Sequence, residues 1–355
     1  MTNDQMRNFS ICEIIQDLKA ILDCLQTCVS NNVNVAIYQA VNPYLCSFVY
    51  SGFDYLEKQN IILKISDKSF KKKVGKSRSK FLKQYMEFNQ GTFNKLNDFN
   101  RNEYVKFFCK KYPNLSPVIS KDINNYYIAS INDKPIDNYH LSSGILGCEI
   151  GSYLDDITPQ VQSFIYQMTR FIVQILISAH IEPINNTHKI SFPKIKYNDI
   201  NMAYGYKNFG IQNNPPILMA FLDILCTVNS YNEVFVKINS YKRLDLKVKY
   251  LILFGSVIGL KKLMIFCHNS NIELPEHREF EEFIIQTDKS YCKNQLRKYC
   301  SHYGYEESDW ESDPIVEVFE KNFHNPINEI SEDLSMQLLK LSEYLNKFII
   351  KVPLP

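Results

Sequence analysis

Arg297, Lys298 and His302 are the residues of this chain whose types and spacing could do chemistry. They sit in the stretch QLRKYCSHYG, at the end of an expected helix. Cleavage of RNA by internal transfer requires help in removing a 2′-hydroxyl proton, in stabilising charge on the phosphoryl oxygens and in releasing the leaving oxygen. Histidine exchanges a proton near neutrality, and arginine offers a fixed fork of donors to a phosphate. Positions five apart lie about 140° round an α-helix, so Arg297 and His302 diverge on an ideal one. They converge only if the last turn loosens near Gly304, or if the partner residue comes from a second subunit. Lys298 and His302, four apart, share a face more easily. The plainer alternative makes Arg297 a surface residue and His302 part of a helix C-terminal cap.

A second candidate is the basic run Lys68 to Lys83, with eight basic residues and no acid. Lys71, Lys72, Lys73, Lys76, Arg78 and Lys80 can contact RNA phosphates there, with Phe70 and Phe81 beside them as stacking groups. The bland alternative is a solvated face in a lysine-rich protein. His324-Asn325-Pro326 reads as a turn rather than as a second imidazole for the site. His140, His180, His188, His268 and His277 are isolated, and no HExxH pattern occurs, which leaves no zinc-hydrolase reading. The ten cysteines include no CxxC pair, so the expectation is buried free thiols and no metal. Gly144, Gly147 and Gly151 lack both the phosphate-loop and the dinucleotide spacing, and no cofactor is expected.

The elements that must position these residues follow from pattern. Ser10 and Glu13 form a capping-box signature. Ile11, Ile14, Ile15, Leu18, Leu22 and Leu25 then recur at helical spacing up to Asn31-Asn32. A second apolar segment covers Val35 to Leu56. Asn125 to Ile131, followed by Asn132-Asp133-Lys134-Pro135, reads as a strand or extended segment with a turn, and Ile61 to Ser66 is ambiguous between a short strand and a helix fragment. Thr158-Pro159 opens a helix that Glu182-Pro183 ends. His188 to Asn214 is an expected linker, extended at Ile190 to Ile195. Helices follow over Leu218 to Val236, Leu244 to Phe266 and Glu279 to Ser301. Glu306 to Asp333 is acidic and partly irregular. The last helix carries Leu334, Leu338, Leu341, Leu345 and Phe348.

The predicted fold is therefore mostly all-α. A C-terminal up-and-down helical bundle occupies 215–355, and a mainly helical N-terminal region with minor short strands occupies 1–200. Lys+Arg 40 against Asp+Glu 38 gives a net charge of +2, which supplies no global argument for a nucleic-acid partner. The abundance of Ile, Lys and Asn resembles the usage of an AT-rich genome. The apolar runs Leu251 to Leu260 and Phe171 to Ile177 are short of the roughly 20 residues of a membrane span, so no membrane association is expected. Free thiols and the absence of a signal-peptide pattern point to the cytoplasm.

The segment LRKYCSHYG, with a long apolar helix before it and an amphipathic helix after it, resembles the Arg-x(4–6)-His motif of the HEPN superfamily. The resemblance covers about Pro216 to Pro355. It implies an all-helical bundle that dimerises, with the motifs of two protomers forming one cleft. Many members are metal-independent endoribonucleases of toxin, phage-defence and CRISPR systems, and others are non-catalytic scaffolds. Arg297 matches the motif arginine and His302 its histidine. The position after the arginine, often Asn or another polar residue in that family, is Lys298 here. The expected function is a metal-independent endoribonuclease of a defence or toxin-type system, homodimeric. In that reading His302 handles the proton, Arg297 the phosphate charge, and Lys298 assists. The alternative is a non-catalytic helical scaffold that binds RNA or a protein partner.

Overall fold

Apolar residues at helical spacing build the first two elements and turn them against each other. Helix α1 runs Asn3–Ser30, starting earlier than the capping-box pattern implies. Ser10 and Glu13 lie within it as buried residues rather than at its start. Its end matches the expected breaker. Val33 N–H donates to the Cys28 carbonyl at 3.1 Å, and Asn32 sits at φ 47, a left-handed position that Asn tolerates well. Helix α2, Val35–Lys58, is capped by Asn34, whose side chain accepts from Ala36 N–H at 2.9 Å.

The computed structural model describes residues 3–61, 70–75, 125–138, 157–183, 186–201, 206–211, 214–303 and 313–351. The ambiguous segment at Ile61 to Ser66 falls almost wholly outside these. Strand β1 (Asn125–Ile131) covers the expected extended segment, and strand β2 (Lys134–Asn138), which the pattern did not indicate, pairs with it as a hairpin. Asn132 and Asp133 both adopt positive φ, 51 and 60, the geometry of a tight two-residue turn whose twist matches that of the strands. A third strand, β3 (Lys196–Asn201), pairs antiparallel with β1, giving the order β2-β1-β3. It occupies part of the stretch expected to be a linker. Helix α3 (Ile157–Ser178) ends at His180, which takes φ 58, two residues before the Glu182-Pro183 breaker.

The C-terminal part is helical. Helix α4 (Pro215–Ser230) passes into one wide π turn at Tyr231–Phe235. Helices α5 (Lys242–Asn269), α6 (Arg278–Tyr291), α7 (Asn294–Ser301), α8 (Pro314–Phe323) and α9 (Ile327–Ile349) follow. The spacing expected of α9 holds: Leu334, Leu338, Leu341, Leu345 and Phe348 are all buried. His324 ends α8 in a left-handed conformation at φ 56, the turn role expected of it.

The fold is predominantly helical with minor strands. Buried residues on both sides of the expected division at 200–215 belong to one continuous core. Strand β2 lies along α4, and α2 packs against α4. Polar groups fix this seam: Asn138 donates to Asp223 at 2.9 Å and Asn229 donates to the Pro135 carbonyl at 2.9 Å.

Among the described helices α5 alone is long and apolar enough to cross a membrane, by length and composition. It packs against α4, α6, α7 and α9, and most of its residues from Leu244 to Leu263 are buried among them. These are the surroundings of a core helix.

Candidate functional site

The Arg297–His302 segment is placed by a break that the sequence pattern hides. The expected helix Glu279 to Ser301 is two helices, α6 and α7, parted at Cys292-Lys293. Tyr250, on α5, stabilises the break. Its hydroxyl accepts from the Lys293 N–H at 3.1 Å and donates to the Lys293 carbonyl at 2.9 Å, adding to the bonds that Lys293 makes with Tyr291 and Arg297 and tying the junction to α5.

On α7, Arg297 is half-buried, and its guanidinium carbon lies 5.8 Å from the ring centroid of Phe254 on α5. That is a cation–π packing on a residue of the core. Lys298 is exposed. His302 is the C-cap, exposed and extended at φ −138, ψ 141, with its N–H donating to the Lys298 carbonyl at 2.9 Å. The helix therefore stops at Ser301, before Gly304. The imidazole and Lys298 lie at its open end, while Arg297 faces inward onto Phe254.

The basic run divides at the limit of the described residues. Lys72 and Lys73 are exposed, but Lys71 pairs with Glu57 and covers the Phe53 ring at 4.6 Å. Phe70 is buried between Phe164 and Phe171, with centroids 5.3 and 5.6 Å away. The structure thereby corrects the stacking role expected of Phe70, because a ring filling the core cannot also receive a base. Lys76, Arg78, Lys80 and Phe81 lie outside the described residues.

Sequence reasoning missed a buried charge cluster among the described residues, which Tyr303 ties to the α7 end. Lys247 of α5 is 1% exposed at its side chain and pairs with Glu13 at 2.5 Å and Asp17 at 2.6 Å, both on α1. Tyr303, the residue after His302, donates its hydroxyl to Asp17 at 2.8 Å, and its ring lies 5.2 Å from the Lys247 ammonium. Arg243, one turn before Lys247, reaches Glu13 at 3.4 Å and forks onto Asp313, whose carboxylate also caps α8 at Ile315 N–H.

Burial pushes the Asp17 carboxyl up, and Lys247 beside it only partly offsets this. Burial pulls the Lys247 ammonium down, but Asp17 and Glu13 more than reverse the effect and hold it above its ordinary value. The two shifts differ in cause, burial for Asp17 and the two neighbouring carboxylates for Lys247, and both lead the cluster to retain protons. The available signal was a pair of lysines, Lys247 and Lys249, inside a helix apolar almost all round. A lysine there must bring its own anion. Lys249 does so with Asp245 at 2.7 Å, and it also donates to Ser331 on α9.

The described cysteines are free thiols, as the spacing implies. Burial raises Cys28 to about 12 and Cys267 to about 11. Burial, with Asp288 adding to it, raises Cys292 to about 12. Only the thiolate attacks electrophiles. Exposed Cys12 is therefore expected to be alkylated first among the described thiols at neutral pH, at least ~10-fold faster than Cys28, Cys267 or Cys292. Timed iodoacetamide labelling with peptide mass mapping measures this, and labelling of the buried thiols at the Cys12 rate would contradict it.

Among the described residues no group of three or more His, Cys, Asp or Glu side chains is placed to hold a metal ion. No family model, no curated protein and no solved structure gives a significant match to this chain.

Proposed function

We propose that this protein is a non-catalytic helical scaffold that contacts RNA through the open end of α7, with Lys298 and His302 as the contacting groups. The observation that carries this reading is the placement of Arg297. Its guanidinium packs over Phe254 of the core, so it braces the surface from behind. Lys298 and His302 are exposed beside it and offer donors to phosphate oxygens. Eight described free cysteines support a reducing cytoplasm as the compartment.

The second reading is a metal-independent endoribonuclease of the HEPN type, with the cleft completed by a second protomer. It is favoured by one feature, the exposed imidazole of His302 at the helix end, where proton exchange with a substrate is open to it.

One experiment separates the two. Structured and single-stranded RNAs are incubated with protein in EDTA, and binding and cleavage are followed for wild type, His302→Ala, Arg297→Ala and Lys298→Ala, each checked for folding and oligomeric state. The scaffold reading expects retarded, uncut RNA. Lys298→Ala should weaken binding and lower the slope of log affinity against log salt by about 1. Cleavage lost in both His302→Ala and Arg297→Ala would replace this reading with the enzyme. Well-folded protein that retards no RNA would remove the RNA contact.

A further inference from the structure

The described residues enclose a cavity of about 860 Å³ far along the chain from α7, between the end of α1, the start of α2 and the outer face of α3. That is within the range of small-molecule sites. In a protein in which 22% of residues are charged, none of the fifteen described residues lining it carries a charge. An anionic or cationic ligand entering it would lose hydration with no opposite charge among those described residues to replace it. The polar groups present are neutral, chiefly the side-chain amides of Gln26, Asn32 and Gln162 and the hydroxyl of Thr169. An amide carries a donor and an acceptor side by side, which suits a ligand edge that does the same.

Two further details narrow the class. Tyr166 lines the cavity while 67% exposed, so one aromatic ring stands at the rim with its surface uncovered. Gln26 Oε1 is enclosed without a hydrogen-bond partner among the described residues. A buried acceptor left unpaired costs stability, and a turn of the Gln26 amide would let a ligand N–H satisfy it.

The frame is already fixed. Asn31 donates to the His188 carbonyl at 2.9 Å and accepts from Ile190 N–H at 3.1 Å. Asn34 caps α2 and also accepts from the Tyr197 hydroxyl. A preformed site spends little of its binding energy on ordering its walls.

We infer that this cavity binds an uncharged nucleobase, its face on Tyr166 and its hydrogen-bonding edge toward the amides of Gln26 and Gln162. Nucleobases combine the required properties: planar, neutral at physiological pH, and edged with adjacent donors and acceptors. The base can arrive as a free nucleoside or within an RNA strand. The inference does not rest on the reading of α7.

The test is ligand-observed NMR and calorimetry on the full chain with adenosine, guanosine, cytidine and uridine, their 5′-monophosphates, and tetranucleotides of each base. At least one nucleoside should bind with a Kd below about 1 mM, and its monophosphate should bind no more tightly. Tyr166→Ala, an exposed change, and Gln26→Met should each weaken binding at least about fivefold, while Tyr166→Phe retains it. A tetranucleotide that binds more than about tenfold tighter than the nucleoside, with the same sensitivity to these variants, identifies a strand as the source. Comparable affinities identify the free nucleoside. No binding of any probe at several times that concentration, or binding indifferent to Tyr166→Ala and Gln26→Met in folded protein, overturns the inference. Lys298→Ala should leave nucleoside binding unchanged, so the fates of the two sites are read separately.

Discussion

Lys247→Met lowers the unfolding free energy by about 3 to 5 kcal/mol, the scale of loss when one partner of a buried ion pair is removed. The side chain is 1% exposed and is the ammonium nearest Glu13 and Asp17, themselves 1% and 2% exposed. Without it two carboxylates remain in the core, the Tyr303 hydroxyl on Asp17 and the more distant Arg243 on Glu13 being among their partners. Adding Glu13→Gln and Asp17→Asn to Lys247→Met should restore much of the loss, since replacing all members of a buried cluster by neutral groups is far less costly than orphaning some of them. Asp17→Asn alone should cost less than Lys247→Met, because it leaves the ammonium paired with Glu13 and removes a carboxyl that burial already penalises in its charged form. Urea denaturation of the four proteins measures these differences. A Lys247→Met loss within about 0.5 kcal/mol, as for a surface lysine, would mean that the pairs do not form.

The same cluster fixes the direction of the pH dependence. Asp17 has its folded value raised above 3.8, so its contribution is complete below 3.8 and is lost as pH rises through the raised value. Lys247 has its folded value raised above 10.5. Its contribution is complete below 10.5 and is lost as pH rises through the higher folded value. The urea midpoint of wild type should therefore fall above about pH 10.5 more steeply than that of Lys247→Met, which has no ammonium there to titrate.

Gly210→Ala should cost about 3 kcal/mol, at the upper end of what overpacking does. A Cβ at Gly210 would stand 2.3 Å from the Phe348 carbonyl oxygen and 2.9 Å from Pro275. The first contact is with backbone and cannot be relieved by a side-chain rotation. The approach is close because the Gly210 N–H donates to the Ile349 carbonyl at 2.7 Å, beside a bridge from Phe209 to Ile350. The added methyl must break that tie, which holds the segment before α4 against the end of α9. Thermal unfolding reads the effect directly. A melting temperature unchanged within a degree would show that the two backbones are free to part.

Elements whose cause is local were legible in the sequence. The apolar spacing of α1 and α9 and the Asn132-Asp133 turn each act within a few residues of themselves. What escaped notice depends on distant partners. Ser10 and Glu13 match a capping box, yet Glu13 is taken by Lys247, which outcompetes a local cap with a full charge. Lys196 to Asn201 shows no clear alternation and becomes a strand because β1 offers it an edge. The α6–α7 break is stabilised by the Tyr250 hydroxyl from another helix. At the candidate site, sequence singled out Arg297, Lys298 and His302. It could not reveal that Phe254 draws Arg297 inward, or that Tyr303 is anchored on α1.

The ion pairs of Glu13 and Asp17 also impose an order in time. Their cation lies 230 residues further along the chain, and the hydroxyl of Tyr303 lies further still. As the chain emerges during synthesis, α1 appears before α5 and cannot bury this face without stranding two carboxylates in a dry interior. Its docking must wait until α5 arrives, so α1 completes its packing late although it is made before the helices it packs with. The charges that fasten the finished molecule thus hold α1 apart until α5 is in hand.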